Sequence, residues 1–70
     1  MMPLAFVNVG ETKVIAKVNG NDETRHHLSN LGFVEGAEIT VVSELAGNII
    51  VNVKDTRVAI DKAMAGRIIV

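Results

Sequence analysis

Short runs in which Val and Ile recur at every second residue, each ended by Gly, Asn or Asp, constrain this chain more than any other feature. Alternation of this kind puts the apolar side chains of a strand on one face. Val and Ile far outnumber Leu, and β-branched side chains suit a pleated, half-buried surface better than a long helix. The pattern predicts a strand over Thr12–Val18, with Val14, Ala16 and Val18 inward and Lys13 and Lys17 outward. Glu38–Ser43 follows with Ile39 and Val41 inward, and Ile49, Val51 and Val53 repeat the period after the turn signal Ala46-Gly47-Asn48. A tight connection at Lys54-Asp55-Thr56 leads into Arg57–Ile60, where Val58 and Ile60 face in, and Arg67–Val70 supplies a last strand.

Between the first two strands, Glu23–Leu31 reads as a short helix, capped by Asn21 or Asp22 and stopped at Gly32. Its apolar stripe is thin, Leu28 and Leu31 alone, so it must dock on a sheet to be stable. Asp61–Gly66 reads as one Ala-rich helical turn. The expected architecture is mainly β, a small barrel of about five strands with one short helix and a C-terminal helical turn. Its expected core is Val14, Ala16, Val18, Ile39, Val41, Ile49, Val51, Val53, Val58, Ile60, Ile68 and Val70.

Composition bounds what such a barrel can do. Seventy residues form one domain, expected over 1–70, and bury only about 60% of the surface that the unfolded chain exposes. Hydrophobic residues make up 49%, enough for a core, but aromatic residues only 3%, namely Phe6 and Phe33. That removes base-stacking platforms and the aromatic walls that grip Pro-rich peptides. Net charge is −1 and the seven Lys and Arg are scattered, so nucleic acid is not an expected ligand. There is no Cys, which excludes disulfides, thiolate metal sites and cysteine nucleophiles. No long apolar run or basic leader is present, so the expected location is cytoplasmic, without direct membrane insertion.

Few residues carry chemistry. His26 and His27 are the side chains best suited to a transition metal, but neighbours on a helix point about 100 degrees apart. A shared ion would need Asp22 or Glu23, one turn back on the stripes of His26 and His27, and such a pair would hold one divalent ion weakly. The plainer reading, two solvated histidines, outweighs it. On the outward phase of their strands lie Ile15, Val42 and Ile69, and with Val34 they form a candidate apolar surface for a partner. Leu28, Leu31 and Phe33 are expected instead to fasten the helix to the sheet. No nucleophile elbow, phosphate loop or converging Ser, His and carboxylate set occurs, so no enzyme activity is expected.

The most specific stretch runs from Arg25 to Val41: helix, glycine stop at Gly32, apolar clamp at Phe33, a second glycine turn at Gly36, then an alternating strand. It resembles the ferrous-iron-transport protein A (FeoA) family, whose junction reads R-x-x-L-x-x-L-G-φ-x-P-G-A-x-φ-x-V, with φ apolar. Arg25, Leu28, Leu31, Gly32, Phe33, Gly36, Ala37, Ile39 and Val41 match. Leu4–Gly10 resembles the family's opening and Ala59–Val70 its close, so nearly the whole chain takes part. Three places depart: Glu35 stands where the family has Pro, Asp55 and Thr56 where Gly is common, and Asp61 where a basic residue is common.

The resemblance implies an SH3-like barrel, similar to the C-terminal domain of iron-dependent repressors. It implies a non-catalytic cytosolic accessory of bacterial ferrous iron uptake, whose partner is the cytosolic domain of a GTP-binding ferrous iron transporter, the B protein of the same system. The alternative is a metal-responsive module, in which a divalent transition metal controls self-association or partner binding. No cofactor is required in the first reading. Weak Fe2+ or other divalent metal binding belongs to the second, and weak homo-oligomerisation is compatible with either.

Overall fold

The computed structural model describes residues 1–70. Its strands are β1 (Thr12–Val14), β2 (Lys17–Val18), β3 (Glu38–Leu45), β4 (Asn48–Val53), β5 (Thr56–Asp61) and β6 (Ile68–Ile69). Two helices interrupt them, α1 (Asp22–Asn30) and the single turn α2 (Lys62–Ala65), and a 3-10 turn at Leu4–Phe6 precedes β1. β1, β3, β4 and β5 form an antiparallel sheet in the order β1-β3-β4-β5, while β2 and β6 form a second, smaller one. The fold is mainly β, as the alternation predicts. It consists of two sheets sharing one core rather than one closed five-stranded barrel.

The second sheet gains an edge from the start of the chain. Pro3 bridges Ile69, and Met2 and Val70 exchange both backbone hydrogen bonds at 2.9 and 2.8 Å. β6 therefore lies between β2 and Met2–Pro3 and has no open side, which answers the aggregation hazard of an apolar terminal strand.

The strand expected over Thr12–Val18 is in fact two strands meeting at a bend. Ile15 bonds to the α1–β3 connection, its N–H donating to the Ala37 carbonyl at 2.9 Å and its carbonyl accepting from Gly36 N–H at 2.8 Å. One residue later the chain changes sheets, because Ala16 N–H donates to the Ile69 carbonyl at 2.8 Å. The bend corrects the expected phase. Ile15 is in the core at 1% exposure, whereas Val14 is 55% exposed and Ala16 is exposed as well. The more apolar phase of this run, Val14, Ala16 and Val18, is not the one that turns in at β1; the sheet partner decides the face. Lys13 shares the inward phase but lies at the margin, half-buried and 3.9 Å from Glu11.

Two hairpins build the larger sheet. Ala46-Gly47 joins β3 to β4 and Lys54-Asp55 joins β4 to β5, each pair having positive φ at both residues, the backbone of a two-residue type I′ loop. Val42 is an extra residue in β3: Val41 pairs with Val51 and Ser43 with Ile50, leaving a bulge that no alternation reveals. The core comprises Leu4, Val7, Ile15, Leu28, Phe33, Ile39, Val41, Ile49, Val51, Val53, Ile60, Ala65 and Ile68. Val18, Val58 and Val70 pack against it partly buried. Leu4 and Val7, in and beside the 3-10 turn, complete one end that the strand pattern leaves out.

Candidate functional site

The segment with the most specific sequence is also the most closely specified backbone. Asn21 caps α1, its Oδ1 accepting the Thr24 N–H at 2.8 Å, and Asp22 and Glu23 occupy the first turn. At the other end, Gly32 N–H donates to the Ser29 carbonyl at 2.9 Å and Phe33 N–H to the Leu28 carbonyl at 3.0 Å. This is a Schellman stop, with Gly32 at φ +104° and the expected apolar contact between Leu28 and Phe33, both in the core. Ala37 N–H then donates to the Val34 carbonyl at 3.1 Å, closing a turn whose third residue, Gly36, has φ +86°. The run from Leu28 to Ala37 is thus a device for stopping a helix and delivering the chain to the Ile15 bend. Leu31 packs half-buried against the core, so Leu28, Leu31 and Phe33 fasten the helix as expected.

The metal candidates divide. The Asp22 carboxylate pairs with Arg25, three residues on, on the exposed helix surface. Glu23 and His27 do share a face: with Asn21, Thr24 and Met64 of α2 they line an open depression of about 330 Å³. His26 lies outside it, exposed on the helix. No group of three or more His, Cys, Asp or Glu comes close enough to hold an ion. A carboxylate, an imidazole and the Met64 side chain on one depression offer at most a weak, incomplete donor set.

The apolar candidates divide too. Ile15 is buried and leaves the surface set. Val34, Val42 and Ile69 are half-buried and lie outside the core and its packed fringe, Val42 on the bulge and Ile69 on β6. More exposed than any of them are Phe6 at 71% and Leu45 at 67%, with Val9 and Val14 next. One of the chain's two aromatic rings therefore faces solvent from the 3-10 turn. Its only sequence signal was isolation: Phe6 belongs to no alternating run. The outer face of the larger sheet is mixed. Leu45, Ile50 and Ala59 lie toward the β3–β4 turn, and the hydrogen-bonded Thr12 and Thr40 lie further along. A second open depression, about 450 Å³, is polar, with Glu38, Thr40, Asn52, Lys54 and Asp55 on its walls. Neither depression is an aromatic groove.

Residues 2–70 match the FeoA domain family. A Methanocaldococcus jannaschii protein whose assigned name is that of an Fe(2+) transport protein A is 29% identical over 70 residues, all of this chain and 85% of that one. The crystal structure of an iron uptake regulatory protein (FeoA) superposes with a TM-score of 0.87 at 34% identity, over 96% of this chain and 89% of the other. Stenotrophomonas maltophilia FeoA, solved in complex with zinc and described as a prokaryotic SH3 domain protein, superposes at 0.85 with 28% identity, covering 99% and 88%. A manganese-dependent transcriptional repressor shares the fold over 38% of its own length, at 20% identity and a TM-score of 0.84. No helix here is long and apolar enough to cross a membrane. With the family match running from Met2 to Val70, through the helix stop, the glycine turn and the bent strand, this chain is a member of the FeoA family of ferrous iron transport.

Proposed function

We propose that this protein is a non-catalytic accessory of ferrous iron transport that acts by binding the cytosolic, GTP-binding part of a ferrous iron transporter. The observation that carries this reading, beside family membership, is the exposure of Phe6 and Leu45 on a domain whose core is already filled by other residues. Large apolar side chains left in water by so small a chain are suited to a partner surface. Val34, Val42 and Ile69, half-buried and off the core, extend the same character. The test is a pull-down of the transporter's cytosolic domain with the wild-type chain and with Phe6→Ser and Leu45→Ser. Capture that weakens about tenfold or more in the variants supports the reading, as expected when a central apolar anchor is lost. Unchanged capture by both assigns the contact elsewhere, and no capture by the wild type rejects the partner.

A second reading is a metal-responsive module. It is favoured by the depression that Glu23 and His27 share with Met64, and by the zinc found with one relative. Here Fe2+ is a weakly held ligand that alters association. Repeating the pull-down with and without Fe2+ separates the two: capture indifferent to iron supports the adaptor, and iron-gated capture supports the sensor. Backbone NMR shifts under divalent-ion titration would have to centre on Glu23 and His27 for the second reading to stand.

A further inference from the structure

β5 is an edge strand, and its hairpin determines which of its backbone groups are already used. In a two-residue hairpin the residues flanking the loop exchange both hydrogen bonds, and every second pair along the ladder does the same. Val53 and Thr56 flank the loop here. The backbone of Thr56, Val58 and Ile60 therefore turns toward β4, and that of Arg57, Ala59 and Asp61 turns away from it. None of the turn, loop and cap bonds of the chain reaches any residue of Thr56–Asp61. The N–H groups of Arg57, Ala59 and Asp61 and the carbonyls of Arg57 and Ala59 thus line an open edge. All three residues are exposed.

Edges that avoid pairing carry charged side chains, a proline or a bulge, are very short, or are covered; the charges on β5 are of opposite sign and so can complement a second copy rather than repel it. β5 has six residues, pairs with β4 without a register shift, and contains no proline. Its outward residues are a cation, a small apolar residue and an anion, evenly spaced. Antiparallel pairing of this edge with itself about a two-fold axis at Ala59 puts Ala59 opposite Ala59 and each Arg57 opposite Asp61 of the second copy. This register keeps every outward residue facing another outward residue, as the ladder requires. It also matches both charge pairs at once. Asp61 caps α2 through one carboxylate oxygen, which accepts the Met64 N–H at 2.7 Å, and the other oxygen is available to the arginine. Ile50 lies beside Ala59 on the same face, so an apolar row of Ile50, Ala59, Ala59 and Ile50 would cross the axis.

We infer that β5 pairs antiparallel with β5 of a second copy of this chain, with Ala59 on the two-fold axis and two Arg57–Asp61 pairs flanking it, making one continuous eight-stranded sheet. This goes beyond the transporter reading and does not depend on it.

Sedimentation equilibrium of the seventy-residue chain, across a wide concentration range, tests it. The wild type should show a monomer–dimer equilibrium. Arg57→Glu sets carboxylate against carboxylate twice, and Asp61→Lys sets cation against cation twice; each should weaken self-association by about tenfold or more. Mixing the two variants restores both pairs in a heterodimer, so dimer mass should return in the mixture. Loss of the α2 cap in Asp61→Lys does not confound this, because Ala59→Pro is an independent probe. It deletes an N–H that faces away from β4, a position where an edge strand accepts proline, and should abolish the dimer while far-UV circular dichroism stays unchanged. A wild type that remains monomeric overturns the inference. So does a dimer indifferent to Arg57→Glu and Ala59→Pro, or a mixture that fails to reassociate. A monomeric wild type whose capture of the transporter domain is lost in Ala59→Pro would assign the edge to the transporter instead.

Discussion

Three of the four strands of the larger sheet, β3 to β5, are neighbours in sequence, whereas the smaller sheet joins segments from opposite ends of the chain. β3, β4 and β5 are linked by two-residue loops, so each pairing follows from alternation on either side of a turn. β2, β6 and Met2–Pro3 are brought together across most of the chain's length, and only the packed core holds them in register. Ile15 and Ala16 stand where the two meet, one residue bonded toward the larger sheet and the next to β6. Local signals suffice for a hairpin, but a long-range pairing needs the core to exist first, because closing a long loop precedes any reward for its contacts.

The sharpest way to break this contrast is at the junction. Ile15→Ala should destabilise the domain by about 2–5 kcal/mol, while Val14→Ala, one residue away and exposed, should change it by less than about 0.5 kcal/mol. Urea unfolding followed by circular dichroism measures both. Equal effects would mean that the inward phase of β1 is wrong. The smaller sheet is probed next by deleting Val70, which removes the two hydrogen bonds exchanged with Met2. A loss of about 1–3 kcal/mol is expected, and hydrogen exchange should quicken at Met2 and Ala16 more than in β4.

Two smaller changes address the junction between α1 and β3. Gly32→Ala would hold an alanine at φ +104°, with its methyl about van der Waals distance from Val53, so conformational strain rather than a clash sets the cost. About 1–2 kcal/mol of destabilisation is expected. Glu35→Pro should act in the opposite sense, raising stability by about 0.4–1 kcal/mol. Position 35 is the second residue of the Val34–Ala37 turn, where proline is favoured, and the Glu35 N–H donates no backbone hydrogen bond. A rise in the urea midpoint with an unchanged slope would show that the native backbone already has the conformation proline requires.

These segments differ in how far they could be read in advance. Leu28, Leu31, Gly32 and Phe33 announce a helix stop because every interaction in it lies within six residues, and the two hairpin turns are legible for the same reason. β1 was misread. Val14, Ala16 and Val18 alternate as an apolar face and Lys13, Ile15 and Lys17 do not, yet the bend at Ala16 puts Ile15 in the core and Val14 in water. Of the metal candidates, spacing put Glu23 beside His27, and the two do line one depression; it also put Asp22 beside His26, whereas the Asp22 carboxylate pairs with Arg25. The exposed Phe6 and Leu45 had no pattern to mark them, since exposure depends on what else covers a residue.

By itself the sequence determined the chemistry of the turns, the stop of α1, the two hairpins and the family to which they belong, all of them consequences of φ preferences and short-range periodicity. Tertiary structure alone decided the face that β1 turns inward, the pairing of Met2 with Val70, the bulge at Val42 and the open edge of β5. Those outcomes depend on partners distant in sequence, and a period-two pattern carries no record of which partner a strand will meet.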